Sequence, residues 1–137
     1  MPLGFLDDIF LHRGCRIGIF RISNCLTSLG YRFTNGPKLY YGYGRSTTAK
    51  LAQLRTGHCR LNSYLYRFNI VESAECKCHE GKETVEHFLL VCKRYTEERK
   101  ILRKRVGLEG MKVRHLLGDK KAIKHTMKFI NNTKRLD

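Results

Sequence analysis

Residues 76 to 92 read CKCHEGKETVEHFLLVC, and this stretch constrains the fold more than any other. Three thiols and an imidazole stand in the order Cys76, Cys78, His87 and Cys92, the first pair one residue apart and the second pair five apart. Zinc takes four nitrogen or sulfur ligands in a tetrahedron, and structural sites commonly draw two from a tight turn and two from a helix, spaced about three to five residues apart. Cys76 and Cys78 precede the polar glycine turn His79-Glu80-Gly81-Lys82, whereas His87 and Cys92 fall on a helix that Thr84 can open. Positions five apart differ by about 140° around an ideal α-helix, so both can ligate only if the helix tightens or frays near Cys92.

A free cysteine is commonly a small buried hydrophobe, and Cys92 after Leu89-Leu90-Val91 would suit a core without a metal. Cys76 and Cys78 fit that description badly. They flank Lys77 in a hydrophilic turn, and alternate side chains point apart unless something gathers them. The expectation is a structural zinc on Cys76, Cys78, His87 and Cys92, with His79 able to stand in for His87. Four protein ligands close the coordination shell and leave no position for an activated water.

Around this stretch the pattern is mainly α. Residues 1–45 carry most of the glycines and both prolines, and NGPKLYYGYGR alternates glycine with tyrosine, so an irregular N-terminal segment or linker is expected there. Residues 46–137 read as a small helical domain. Ser46 or Thr47 can cap a helix with Leu51 and Leu54 on one face and Gly57 ending it in the left-handed conformation. A second helix would set Leu61, Leu65 and Phe68 on one face, and the helix from Thr84 would bury Val85, Phe88 and Leu89. TEERKILRKRVG has acids in its first turn, bases in its last and Gly107 beyond, which complements the macrodipole. MKVRHLLG and DKKAIKHTMKFI supply two more helices, the latter capped by Asp119 with Ile123, Met127 and Ile130 inward.

Charge then narrows the partners. Lys and Arg number 27 against 12 Asp and Glu, a net +15, and residues 93–137 alone hold 15 basic and 5 acidic side chains. Such a surface attracts polyanions, nucleic acid before anionic membrane. Arg94, Arg99, Lys100, Arg103, Lys104 and Arg105 are the expected phosphate contacts, because they follow Cys92 on one helix. No apolar run approaches the roughly 20 residues needed to cross a bilayer, and clustered cysteines suit a reducing, intracellular setting. His58-Cys59 reads as a structural turn, Cys15 and Cys25 as incidental thiols, and His12, His115 and His125 as surface residues.

LAQLRTGHCRLNSYLYRF followed by CKCHEGKETVEHFLLVCKRY resembles the C-terminal zinc-binding region of reverse transcriptases from non-LTR retrotransposons, which lies downstream of the polymerase and often after a ribonuclease H domain. The resemblance covers about residues 46 to 105. It implies a zinc module with Cys76, Cys78, His87 and Cys92 as ligands that helps hold RNA or DNA, present here as a detached or truncated fragment. GFLDDIF is similar to the aspartate-pair motif of the polymerase palm, but Met1 stands only six residues before Asp7, leaving no room for a partner strand. No complete polymerase or ribonuclease H site is expected, so the chain reads as non-catalytic. The alternative is a protein-interaction module braced by zinc, with Tyr40, Tyr41 and Tyr43 as exposed contacts.

Overall fold

The computed structural model describes residues 40–137. Asp7, Asp8, His12, Cys15, Cys25 and nearly all of the expected N-terminal segment lie outside these described residues. What is described is mainly helical. Helix α1 spans Arg45–Thr56, α2 Asn62–Arg67, α3 Thr96–Val106, α4 Val113–Gly118 and α5 Lys120–Thr133. Between α2 and α3 run a short turn-and-bridge segment, a wide helical turn over His87–Val91 and a tight one over Lys93–Tyr95. The only β pairing among the described residues is a single antiparallel bridge between Glu75 and Lys82. No helix among them is long and apolar enough to cross a membrane.

The start of α1 corrects the sequence expectation. Gly44, not Ser46 or Thr47, is the capping residue, and no side chain caps the helix. The cause is a tertiary anchor. Tyr40 is buried in the common core, and the Tyr43 amide bonds back to its carbonyl at 3.2 Å, which delivers the chain to Gly44 already turned. The Tyr40 hydroxyl accepts a hydrogen bond from Nη1 of the fully buried Arg55 at 3.2 Å, and the Arg55 guanidinium lies 5.8 Å from the tyrosine ring. Tyr40 is therefore a core residue and not an exposed contact, and Tyr43 is half-buried; Tyr41 alone of the three is exposed. At the other end Gly57 takes φ 75°, as expected, and its amide bonds the Leu54 carbonyl.

Helix α2 is shorter than its apolar pattern suggests. Leu61 is buried just before it, but Phe68 is 44% exposed, because Asn69 at φ 54° stops the helix. Phe68 stacks instead on Tyr64, with centroids 5.0 Å apart. The later helices follow their patterns closely. Val85, Phe88 and Leu89 are buried, as are Ile123, Met127 and Ile130 of α5. Phe88, Tyr95 and Phe129 form a mutual aromatic contact with centroids 5.3 to 6.4 Å apart, two of the three pairs edge-on. Such edge-to-face packing adds about 0.5–1.5 kcal/mol per pair beyond area burial. It locks the cysteine-bearing segment to α3 and α5.

Asp119 caps α5 as expected, its carboxylate accepting from the amides of Lys121 at 2.8 Å and Ala122 at 2.9 Å. Those amides, Ala122 first, hold the carboxyl below the usual range. A depressed carboxylate stabilises the fold at pH values above its unfolded pKa, about 3.9, and the contribution disappears as pH falls through the folded value. Asp119→Ala is expected to cost about 1 kcal/mol in urea unfolding at pH 7. The difference from the parent chain should shrink toward pH 3.

Candidate metal centre

The turn that carries the first two thiols is closed by backbone bonds before any ion is considered. The Cys76 amide donates to the Gly81 carbonyl at 2.8 Å, the His79 amide to the Cys76 carbonyl at 2.9 Å, and the Glu83 amide to the Ala74 carbonyl at 2.9 Å. His79 and Gly81 both take positive φ, 60° and 128°, and reverse the chain so that Cys76 and Cys78 fall on the same side. Glycine adopts such an angle without steric cost; His79 does so at the tip of the turn.

His87 and Cys92 reach the turn by a different route from the one expected. The helix ends at Cys92 and tightens only beyond it, over Lys93–Tyr95. Thr84 opens it, its Oγ1 accepting from the His87 amide at 3.1 Å, and it then widens, the Cys92 amide bonding the His87 carbonyl five residues back at 2.7 Å. A bond spanning five residues inserts one residue into the turn, which brings positions five apart toward the same face. The five-residue gap that strains an α-helix is thus matched to a wide turn.

The result is convergence. One ligand atom from each of Cys76, Cys78, His87 and Cys92 lies within 4.8 Å of all the others. The Cys76 and Cys92 sulfurs are 3.6 Å apart, and Cys78 Sγ is 3.1 Å from His87 Nε2. Zinc–sulfur bonds of about 2.3 Å and zinc–nitrogen bonds of about 2.0 Å in a tetrahedron require edges of roughly 3.5–3.8 Å. Cys76, His87 and Cys92 are buried and Cys78 is half-buried. The group could hold a metal ion. His79 is not among these four residues.

The two thiols of the turn differ in how readily they ionise. Burial, reinforced by the neighbouring thiols of Cys78 and Cys92, pushes the Cys76 thiol up to about 12. Cys78 goes the other way. Desolvation opposes its ionisation, but the Glu80 amide and the thiols of Cys76 and Cys92 outweigh it. A thiolate at Cys76 is therefore costly alone, and metal binding to such a group displaces protons.

The six basic residues expected to contact phosphate divide once they are placed. Arg99 is turned inward, its Nε donating to the Leu89 carbonyl at 2.9 Å and its Nη2 to the Phe88 carbonyl at 3.2 Å. Arg99 thereby supplies these carbonyls with donors and braces the wide turn from the next helix. Lys100 is exposed and pairs with Glu97 at 2.7 Å, and Arg94 lies 5.4 Å over the Tyr95 ring. Arg103, Lys104 and Arg105 are exposed and enter no ion pair among the described residues.

Two supports of the site escape a reading by local pattern. Lys93 pairs with Glu80, tying the residue after Cys92 to the tip of the cysteine turn. Glu83, 1% exposed, accepts from the Asn62 amide at 2.9 Å and from Arg135 Nε at 2.8 Å and Nη2 at 2.5 Å. Nothing near Glu83 in the sequence signals this, because its partner lies 52 positions away. Elsewhere, Cys59 is buried and its thiol is pushed up to about 12, chiefly by desolvation, while His58 packs on the Tyr64 ring at 5.2 Å. A thiol so hard to ionise is a poor nucleophile. Compared with family models, curated proteins and solved structures, the chain finds no match.

Proposed function

We propose that the chain is a non-catalytic module in which a structural zinc, held by Cys76, Cys78, His87 and Cys92, presents a basic helical surface to nucleic acid. The observation that carries this reading is the convergence of three thiols and one imidazole immediately before α3. Soft thiolates with one imidazole in a closed four-ligand set suit zinc among the abundant divalent ions. The wide turn and the Phe88–Tyr95–Phe129 contact transmit that fixed point to α3, which exposes Lys100, Arg103 and Lys104 and, on the side toward α5, Arg105. This is the role that the resemblance to the zinc-binding region of non-LTR retrotransposon reverse transcriptases implies.

Salt dependence tests it. Each phosphate neutralised releases condensed counterions, so log affinity should fall with log salt at about 0.9 per contact on duplex DNA and about 0.7 on a single strand. Replacing Arg103, Lys104 and Arg105 by alanine together should flatten the slope by about two to three. Binding of a labelled oligonucleotide that is indifferent to salt up to a few hundred millimolar would overturn the reading.

A second reading draws on Tyr41, Tyr66, Phe68 and Ile70, which are 92%, 49%, 44% and 51% exposed. The three aromatics among them are of the kind enriched where proteins meet. A zinc-braced protein-interaction module would keep its partner after the three alanine substitutions in α3.

A further inference from the structure

The two longest helices of the C-terminal part leave a cleft between them. It has a volume of about 510 Å³ and is lined by Glu98, Ile101, Leu102 and Arg105 from α3 and by Lys124, His125, Lys128, Phe129 and Asn132 from α5. The α3 residues stand at intervals of three and four, one stripe of the helix, and Lys124 and Lys128 stand one turn apart on the other wall. Phe129 touches Tyr95 at the head of α3, so the helices run in opposite senses. Arg105 accordingly lies toward Lys124, and Glu98 toward Asn132.

The lining is sorted by chemistry. Arg105, Lys124 and Lys128 are exposed and enter no ion pair among the described residues. Ile101 is 59% exposed beside the fully buried floor residues Leu102 and Phe129. A cationic wall suits phosphates, an exposed apolar residue suits the flat face of a base, and a carboxylate with a carboxamide suits the amino and imino groups on a base edge. In a duplex the base faces are stacked and hidden, and a cleft of this volume cannot admit one.

Resting on the nucleic-acid reading above, we infer that the α3–α5 cleft is a seat for single-stranded nucleic acid. Arg105, Lys124 and Lys128 hold successive phosphates, and Ile101, Glu98 and Asn132 receive an unpaired base. The rise between Lys124 and Lys128 is about 6 Å, four residues at about 1.5 Å each, within reach of neighbouring phosphates for flexible lysine side chains. Lys124 and Lys128 escape a selection that favours bases close to Cys92 in sequence. Their signal was the paired lysines on the polar face of DKKAIKHTMKFI.

The test is fluorescence anisotropy of the whole chain with a labelled oligonucleotide of about 12 residues, as single-stranded RNA, single-stranded DNA and the matching DNA duplex. The RNA and DNA arms tell whether a 2′-hydroxyl is used. K124A/K128A and I101E alter exposed side chains, and circular dichroism establishes that both keep their helices. The expected result is preference for single strands, a salt slope lowered by about 1.4 in K124A/K128A, and loss of single-strand binding in I101E. Should both variants bind single strands like the parent while R103A/K104A loses binding, the cleft is wrong and the nucleic-acid reading stands. Preference for the duplex also overturns the cleft. A parent chain that binds neither form overturns the cleft together with the reading it rests on.

Discussion

Cys92→Ser is expected to lose its metal and to melt at least about 20 °C below the parent chain. Cys92 is fully buried where the wide turn ends, and its sulfur is 3.6 Å from that of Cys76. Among the described residues the ion pair that ties the cysteine turn to the segment after Cys92 is the exposed Lys93–Glu80 pair, and exposed pairs contribute little. Structural zinc binds with an apparent 10–16 kcal/mol in small peptide modules, as large as the whole folding free energy of a domain. A loss of about 4 kcal/mol, the part felt after local rearrangement, corresponds to roughly 20 °C for a chain of this size. Thermal denaturation followed at 222 nm, with metal content measured on the same sample, checks both halves. Cys59→Ser is the control: Cys59 lies outside the four-residue group, so metal content should be unchanged.

The second large effect is expected at the far end of the chain. Arg135→Ala should cost about 3–5 kcal/mol, because it leaves the Glu83 carboxylate buried and short of its bidentate partner. Hydrogen bonding to Glu83 holds the Arg135 guanidinium above its already high range, so Arg135 keeps its charge. Arg135 Nη2 also reaches Asn62 Oδ1 at 3.3 Å, Leu136 is buried, and Lys50 pairs with Asp137. The C-terminal residues thus join α1, the start of α2 and the cysteine turn. Urea unfolding of R135A, E83A and the double variant would show strong coupling, with the double variant less destabilised than the two single losses added together. Additive losses would mean that the pair is incidental.

The contrast between these two predictions shows what was legible in the sequence. All four converging side chains fall within one short stretch, so residue type and spacing sufficed to bring them together on paper. The five-residue gap was visible as a strain, but its resolution by widening depends on Arg99 supplying the carbonyls of Phe88 and Leu89 from the next helix. Helix α5 was legible in detail because Asp119 caps it and its apolar face repeats at helical intervals. Tyr40, Phe68 and Glu83 were not. Their burial or exposure is decided by groups distant in the chain, and local pattern carries no trace of Arg55 reaching Tyr40 or Arg135 reaching Glu83. The same holds for the α3–α5 cleft, whose two walls are each an ordinary amphipathic stripe until the helices are paired.

The central claim is that a metal ion joins the cysteine turn to the helix leading into α3. Native mass spectrometry of the purified chain, before and after chelation and alongside a far-ultraviolet spectrum, tests it most directly. The expected result is one zinc per chain, removed by the chelator with a loss of helical signal that added zinc restores. A metal-free chain whose helical spectrum and melting temperature are unchanged by chelator or by zinc would contradict it.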